Sequence, residues 1–242
     1  MELKGLNALV TGGDKGIGKA IVFALAKKGA NVAFSYFSEK RKAEDTLQEL
    51  KVYNVKAAMV QADVRDYQQV ENMMELVKKK LGGIDILVNN AGTSGLNTAL
   101  EKISIEDWNT VIGVNLTGVF NCCKAAQAEL VKNKGKIVNM SSIAGKMGGT
   151  IGGHYAASKA GVIGLTFALA RELAPQVTVN AVAPGPVDTE LLSAEVKDNL
   201  SKATPFGRIA QPDEIAHTVI YLLENDYVSG EVINVNAGRY MD

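Results

Sequence analysis

The chain has 242 residues, 47% of them hydrophobic, enough for one well-filled core and a single domain over residues 1–242. Its 26 basic and 26 acidic residues leave no net positive field to collect nucleic acid or an anionic membrane. No run of about 18 apolar residues occurs to span a bilayer, and Met1 to Gly5 carry no signal-peptide core, so a cytoplasmic protein is expected.

Ala8 to Val10 reads as a short buried strand. Thr11 to Gly18 follows as a glycine-rich turn into a helix over Ile17 to Lys28, which Gly29 stops. Gly12, Gly16 and Gly18 permit a tight turn and close backbone approach, and the helix start offers free amides to a pyrophosphate. The spacing Gly-x-x-x-Gly-x-Gly departs from the commoner Gly-x-Gly-x-x-Gly. Gly13 to Lys19 also fits most of a nucleoside-triphosphate loop, but Ala20 follows where that loop needs a hydroxyl for magnesium. A dinucleotide is the expected ligand.

The second strand, Asn31 to Tyr36, runs into Phe37 and Ser38 without the acid that commonly binds the ribose hydroxyls of NAD. Lys15 and Ser38, with Lys40 or Arg41 nearby, suit a 2′-phosphate, so NADP(H) is expected; Glu39 keeps NAD(H) open. Further strands read at Ala57 to Gln61 and Ile84 to Val88. Cys122 and Cys123, adjacent in a helical stretch, fit neither a disulfide framework nor a metal site, and His154 and His217 suggest no metal by spacing.

Ile137 to Met140 is the next strand, and Ser142 lies at its carboxyl end, where a hydroxyl can donate to a carbonyl turning into an alkoxide. In the helix expected from His154 to Leu173, Tyr155 and Lys159 stand one turn apart on one face. A phenol titrates near 10, so proton exchange near neutrality requires a downward shift of roughly three units. An ammonium about 4–6 Å away is expected to supply it. His154 reads as a packing residue, with pocket shaping as the alternative. The last strands are Val177 to Val182 and Val232 to Val235. Apolar strands alternating with helices predict an α/β, doubly wound, Rossmann-type domain. Its parallel sheet has about seven strands, with helices on both faces and ligands at the strands' carboxyl ends. Residues 190–205, helical and mixed in polarity, are the expected substrate lid.

Taken together, these motifs resemble the short-chain dehydrogenase/reductase family from Leu6 to about Tyr240. They are Thr11 to Gly18, Asp63-Val64, Asn89 to Gly92, Asn115, Ser142, Tyr155 with Lys159, and Pro184-Gly185. The resemblance implies that Gly12, Asp14, Lys15, Gly16, Ile17, Gly18 and Ser38 hold the dinucleotide and that Asp63 and Val64 contact adenine. It implies that Asn89, Ala91 and Gly92 line the cofactor and brace the sheet. Asn115 is implied to kink its helix and hold a water on Lys159, in a proton relay with Tyr155. Lys159 is also implied to bind the nicotinamide ribose, while Pro184, Gly185, Val187 and Thr189 hold the nicotinamide amide.

Within the family, Tyr155 to Gly164, Pro205 to Arg208 and Gly230 to Asn236 are most similar to 3-oxoacyl-acyl-carrier-protein reductases. NADPH-dependent reduction of a 3-oxoacyl thioester in fatty acid synthesis is the implied activity. A dehydrogenase of a sugar, polyol or other small alcohol remains the alternative, because those enzymes share similar phrases. The implied partners are acyl carrier protein, docking near Lys132, Lys134 or Arg171, or a small-molecule carbonyl substrate. A homotetramer is implied, with helices near 104–131 and 155–173 and the last strand as interfaces. A catalytically silent dinucleotide-binding protein would be expected to lose part of the set Asn115, Ser142, Tyr155 and Lys159, and all four are present.

Overall fold

The computed structural model describes residues 2–95, 99–148, 151–190 and 192–241. Short apolar runs with buried residues on both sides become parallel strands, since only a sheet covered on two faces hides them. In chain order these are β1 (Asn7–Val10), β2 (Asn31–Tyr36), β3 (Ala57–Gln61), β4 (Ile86–Asn89), β5 (Lys136–Met140), β6 (Thr178–Pro184) and β7 (Val232–Val235). They form one seven-stranded parallel sheet in the order β3-β2-β1-β4-β5-β6-β7. Leu9 of β1 stands opposite Ala33 of β2 on one side and Leu87 of β4 on the other. The chain therefore leaves β1 in one direction and returns on its other side, which opens a crevice at the carboxyl ends of β1 and β4.

The main connecting helices are α1 (Gly16–Lys27), α2 (Lys40–Glu49), α3 (Tyr67–Leu81), α4 (Ile105–Ile112), α5 (Gly118–Asn133), α6 (Ala144–Met147), α7 (Gly153–Glu172), α8 (Ala194–Lys202) and α9 (Pro212–Glu224). Their ends follow from local chemistry. Asp66 starts α3 by accepting the amides of Gln68 and Gln69, and Gly82, at φ 109°, ends it in the left-handed region. Pro212 opens α9 inside a reciprocal cap made by Gln211 and Glu214. On one face, Ile21, Val22 and Leu25 of α1 and Ile215, Val219 and Leu222 of α9 pack on Val10, Val32 and Val88. On the other, Met73 and Val77 of α3, Ala126 and Leu130 of α5 and Val162 of α7 pack on Leu9, Leu87 and Ile137.

Several boundaries differ from the sequence reading, three of them for a visible reason. The strand expected at 84–88 begins at Ile86, because Asp85 instead accepts the amide of Asn7 with its carboxylate and joins the neighbouring strands from outside. β6 runs on through Pro184, which a strand tolerates at its end because no further amide is needed there. The helix expected near 104–131 is α4 and α5 separated by a π turn, Gly113–Thr117, which widens the helix at Asn115.

Candidate active site

The glycine turn is built around Thr11. Its hydroxyl accepts the amides of Asn90 and Ala91, each at 3.0 Å, while the Asn90 amide donates to the carbonyls of Thr11 and Gly12. A Cβ on Gly18 would overlap the Gly12 carbonyl and the Asn90 amide, and one on Gly13 would stand 2.5 Å from Cβ of Phe34. Gly12 and Gly16 have φ of 63° and 53°. Among the described residues no side chain caps α1, and its first turn holds no acid. This cradle of close-packed backbone ahead of an uncapped helix start fits a pyrophosphate. Ile17 is half-buried and packs against the core beside it.

At the carboxyl end of β5 the two serines divide their work. Ser141 donates to the carbonyl of Lys159 at 2.9 Å and anchors α7, while the Ser142 hydroxyl donates to the Pro184 carbonyl at 3.5 Å, accepts the Ala144 amide at 3.1 Å and lies near the Tyr155 phenol. Gly145 lets α6 lie directly on α7, since a Cβ there would stand 2.6 Å from the amide nitrogen of Ala160. Lys159 is buried beneath Gly92, its ammonium 5.8 Å from the centre of the Tyr155 ring and donating to the Met140 carbonyl at 2.7 Å. Burial lowers the Lys159 pKa to about 8. Burial raises the Tyr155 phenol, opposed by its hydrogen bond to Ser142. This corrects the expectation of a phenol made acidic by the lysine: the ammonium points to a carbonyl, and desolvation outweighs it.

Asn115 is fully enclosed, its amide donating to the Thr93 carbonyl (2.8 Å) and the Ser158 hydroxyl (3.1 Å) while its oxygen accepts the Thr93 amide. The side chain thus ties the loop after β4 to α7. Asn89 and Asn90 are adjacent on a strand end and so point to opposite faces. Asn90 holds the glycine turn, whereas Asn89 donates to Asn139 at 2.9 Å and to the Cys123 sulfur, away from the turn. His154 is buried, with Nδ1 accepting the Tyr155 amide and its ring against the loop at Gly95.

At the far end of the crevice, the carboxylate of Asp63 is gripped by Arg65 at 2.6 Å, which holds its carboxyl below the usual range. Val64 packs on Gly118 of α5. Arg65 also stacks over Phe37, which is exposed after β2. Neither Arg65 nor Phe37 stood out in the sequence, although an exposed aromatic at a strand end was a usable signal. Ser38 is exposed beside Glu39, which pairs with Lys15 at 3.9 Å. Asp14 is buried, and burial raises its pKa.

From β6 the chain runs along the opposite wall. The Pro184 carbonyl accepts the amide of Ile143, and Gly185 donates to Val235 while passing so close to Asn236 that a Cβ would stand 3.0 Å from it. Val187 bridges to Ala210, and the Thr189 methyl stands 3.4 Å from where a Cβ on Gly16 would lie. The arrangement unites a dinucleotide cradle, two neighbouring hydroxyls and a buried ammonium, a set able to hold an oxygen and give it a proton.

Comparison with known proteins agrees with this geometry. Residues 12–239 match a family model described as enoyl-(acyl carrier protein) reductase. The chain is 42% identical to the 3-oxoacyl-[acyl-carrier-protein] reductase FabG of Staphylococcus aureus (strain N315), over 97% of this chain and 98% of that protein. It is 40% identical to the 3-oxoacyl-[acyl-carrier-protein] reductase of Synechocystis sp., over 97% and 96%. The crystal structure of a short chain dehydrogenase from Burkholderia cenocepacia J2315 in complex with NADP superposes with a TM-score of 0.93 at 33% identity, covering 99% of each chain.

Proposed function

Since the chain belongs to the short-chain dehydrogenase/reductase family, we propose that it reduces a 3-oxoacyl thioester on acyl carrier protein to the 3-hydroxyacyl product in fatty acid synthesis, using NADPH. The observation that most supports this chemistry is the buried Lys159 ammonium 5.8 Å from the centre of the Tyr155 ring, with Ser142 at the carboxyl end of β5 beside them. Bound NADPH supplies the hydride to the carbonyl carbon. The glycine turn and the start of α1 take its pyrophosphate, with Asp14, Lys15 and Ser38 at the 2′-phosphate end and Asp63 and Val64 toward adenine. Gly92, Lys159 and the run from Pro184 to Thr189 border the nicotinamide half.

Tyr155 gives its phenolic proton to the substrate oxygen, and Ser142 donates a second hydrogen bond as negative charge gathers there. Burial keeps Tyr155 protonated beforehand, the state a proton donor needs. The Lys159 ammonium, 5.8 Å from the ring centre, then favours the phenolate left behind. The proton returns through Lys159 from a water held on it near Asn115. Residues 190–205, of which 191 lies outside the described residues, act as the lid over the acyl chain. The whole chain acts as one unit, assembled as a cytoplasmic homotetramer; sedimentation velocity showing a monomer would remove that last part. No helix among the described residues is long and apolar enough to cross a membrane.

The test follows absorbance at 340 nm with acetoacetyl, crotonyl and polyol substrates, each with NADPH and NADH. Acetoacetyl thioester with NADPH should turn over fastest; crotonyl reduction alone would make it an enoyl reductase, and polyol oxidation alone a small-alcohol dehydrogenase. Tyr155→Phe should lower kcat by about 10²–10⁴-fold and leave NADPH affinity within a few-fold.

A further inference from the structure

An ion pair at the rim of the glycine turn has no part in the hydride or proton steps. Lys42, in the first turn of α2, donates to Glu190 at 2.6 Å, joining residues 148 positions apart. Glu190 directly follows Thr189, which lies against Gly16, so the pair stands beside the start of α1. Lys15, Glu39 and Asp14 complete the cluster, Asp14 lying within electrostatic reach of Lys15, Glu39 and Lys42. Both lysines at this rim are thus occupied by carboxylates, and a phosphate ester arriving there meets cations already engaged.

Resting on the NADP(H) reading, we propose that Lys42 passes from Glu190 to the 2′-phosphate when the dinucleotide binds, and that this exchange releases the segment beginning at Glu190. An exposed carboxylate–lysine pair is weak, whereas a phosphate carries close to two charges and three acceptor oxygens, so the exchange runs toward the phosphate. The segment that is freed leads into α8. That helix has separate ties, from Lys197 to Asp188 at 2.6 Å and from Arg239 to the Leu200 carbonyl at 3.4 Å. Glu190 is its charged link to the dinucleotide rim, beside the bond of the Leu192 amide to the Thr189 carbonyl. NADP(H) therefore loosens one end of this segment before substrate arrives, and NAD(H), lacking the phosphate, leaves the link closed.

Hydrogen exchange over residues 192–202 and equilibrium binding test this without turnover, using adenosine 2′,5′-bisphosphate and 5′-AMP as probes. The bisphosphate should speed exchange of that segment several-fold in the wild-type protein, and 5′-AMP should not. Glu190→Gln should give the faster exchange with no ligand present and bind the bisphosphate roughly two- to fivefold more tightly. Lys42→Gln should weaken the bisphosphate about tenfold and leave 5′-AMP within twofold. A wild-type protein that prefers the bisphosphate while both variants bind it unchanged, or while residues 192–202 keep one exchange rate throughout, overturns the exchange alone. Equal affinity for the two probes overturns the NADP(H) reading and the exchange with it.

Discussion

Tyr155 and Lys159 share a helix face by spacing, but where each polar end points depends on what surrounds it. The ammonium found the carbonyl of Met140, contributed by β5, a strand nineteen residues upstream. Enclosure lowers the lysine's pKa to about 8 from an ordinary 10.5. Between these values the unfolded chain holds a proton that the folded protein has released, so this group makes stability rise with pH across that window. Below about 8 both states are charged and the full cost of the buried charge, roughly 3 kcal/mol, is present. Lys159→Met should remove this slope, so the wild-type minus variant unfolding free energy should climb from pH 8 to 10.5. Urea titrations across that range check it, and a flat difference would show the ammonium to be solvated. Reduction by the wild-type enzyme should also fall as pH rises through about 8, where the charge behind the phenol is lost.

Among the elements, the turn between β1 and α1 is the one whose details bear most on ligand binding. Replacing glycine by alanine inside a helix ordinarily stabilises by about 1 kcal/mol. Gly18 is an exception because its Cβ would fall on the Gly12 carbonyl and the Asn90 amide, which are themselves hydrogen-bonded to each other. Backbone atoms in a packed turn cannot step aside as a side-chain tip can. Gly18→Ala should therefore weaken NADPH by at least about tenfold, read as loss of cofactor fluorescence enhancement, and should lower rather than raise the melting temperature. An unchanged affinity would mean the turn can open without cost.

Across the whole molecule, a buried polar chain joins the layers. Asn89 on β4 donates to Asn139 on β5, which donates to the Thr166 hydroxyl of α7, which in turn donates to the Val162 carbonyl. All three side chains are enclosed, so each depends on its neighbours for hydrogen bonds that water cannot supply. Asn139→Ala would leave the Asn89 amide only the weak Cys123 sulfur as acceptor and take from the Thr166 hydroxyl its side-chain donor. It should cost about 2–4 kcal/mol in urea unfolding, more than truncating one isolated hydrogen-bonding group. It should also lower kcat, since α7 carries Tyr155 and Lys159.

Strand positions and the glycine turn were readable from residue order, because hydrophobic period and backbone permissiveness are local properties. β2, β3 and β7 match their expected limits residue for residue. The direction of Lys159, the rise of the Tyr155 phenol, the separate duties of Asn89 and Asn90, and the pairing of Lys42 with Glu190 were not readable. Each arises where segments distant in the chain exclude water around a polar group. Desolvation and partner choice are set by that assembled surrounding, which no short stretch of sequence contains.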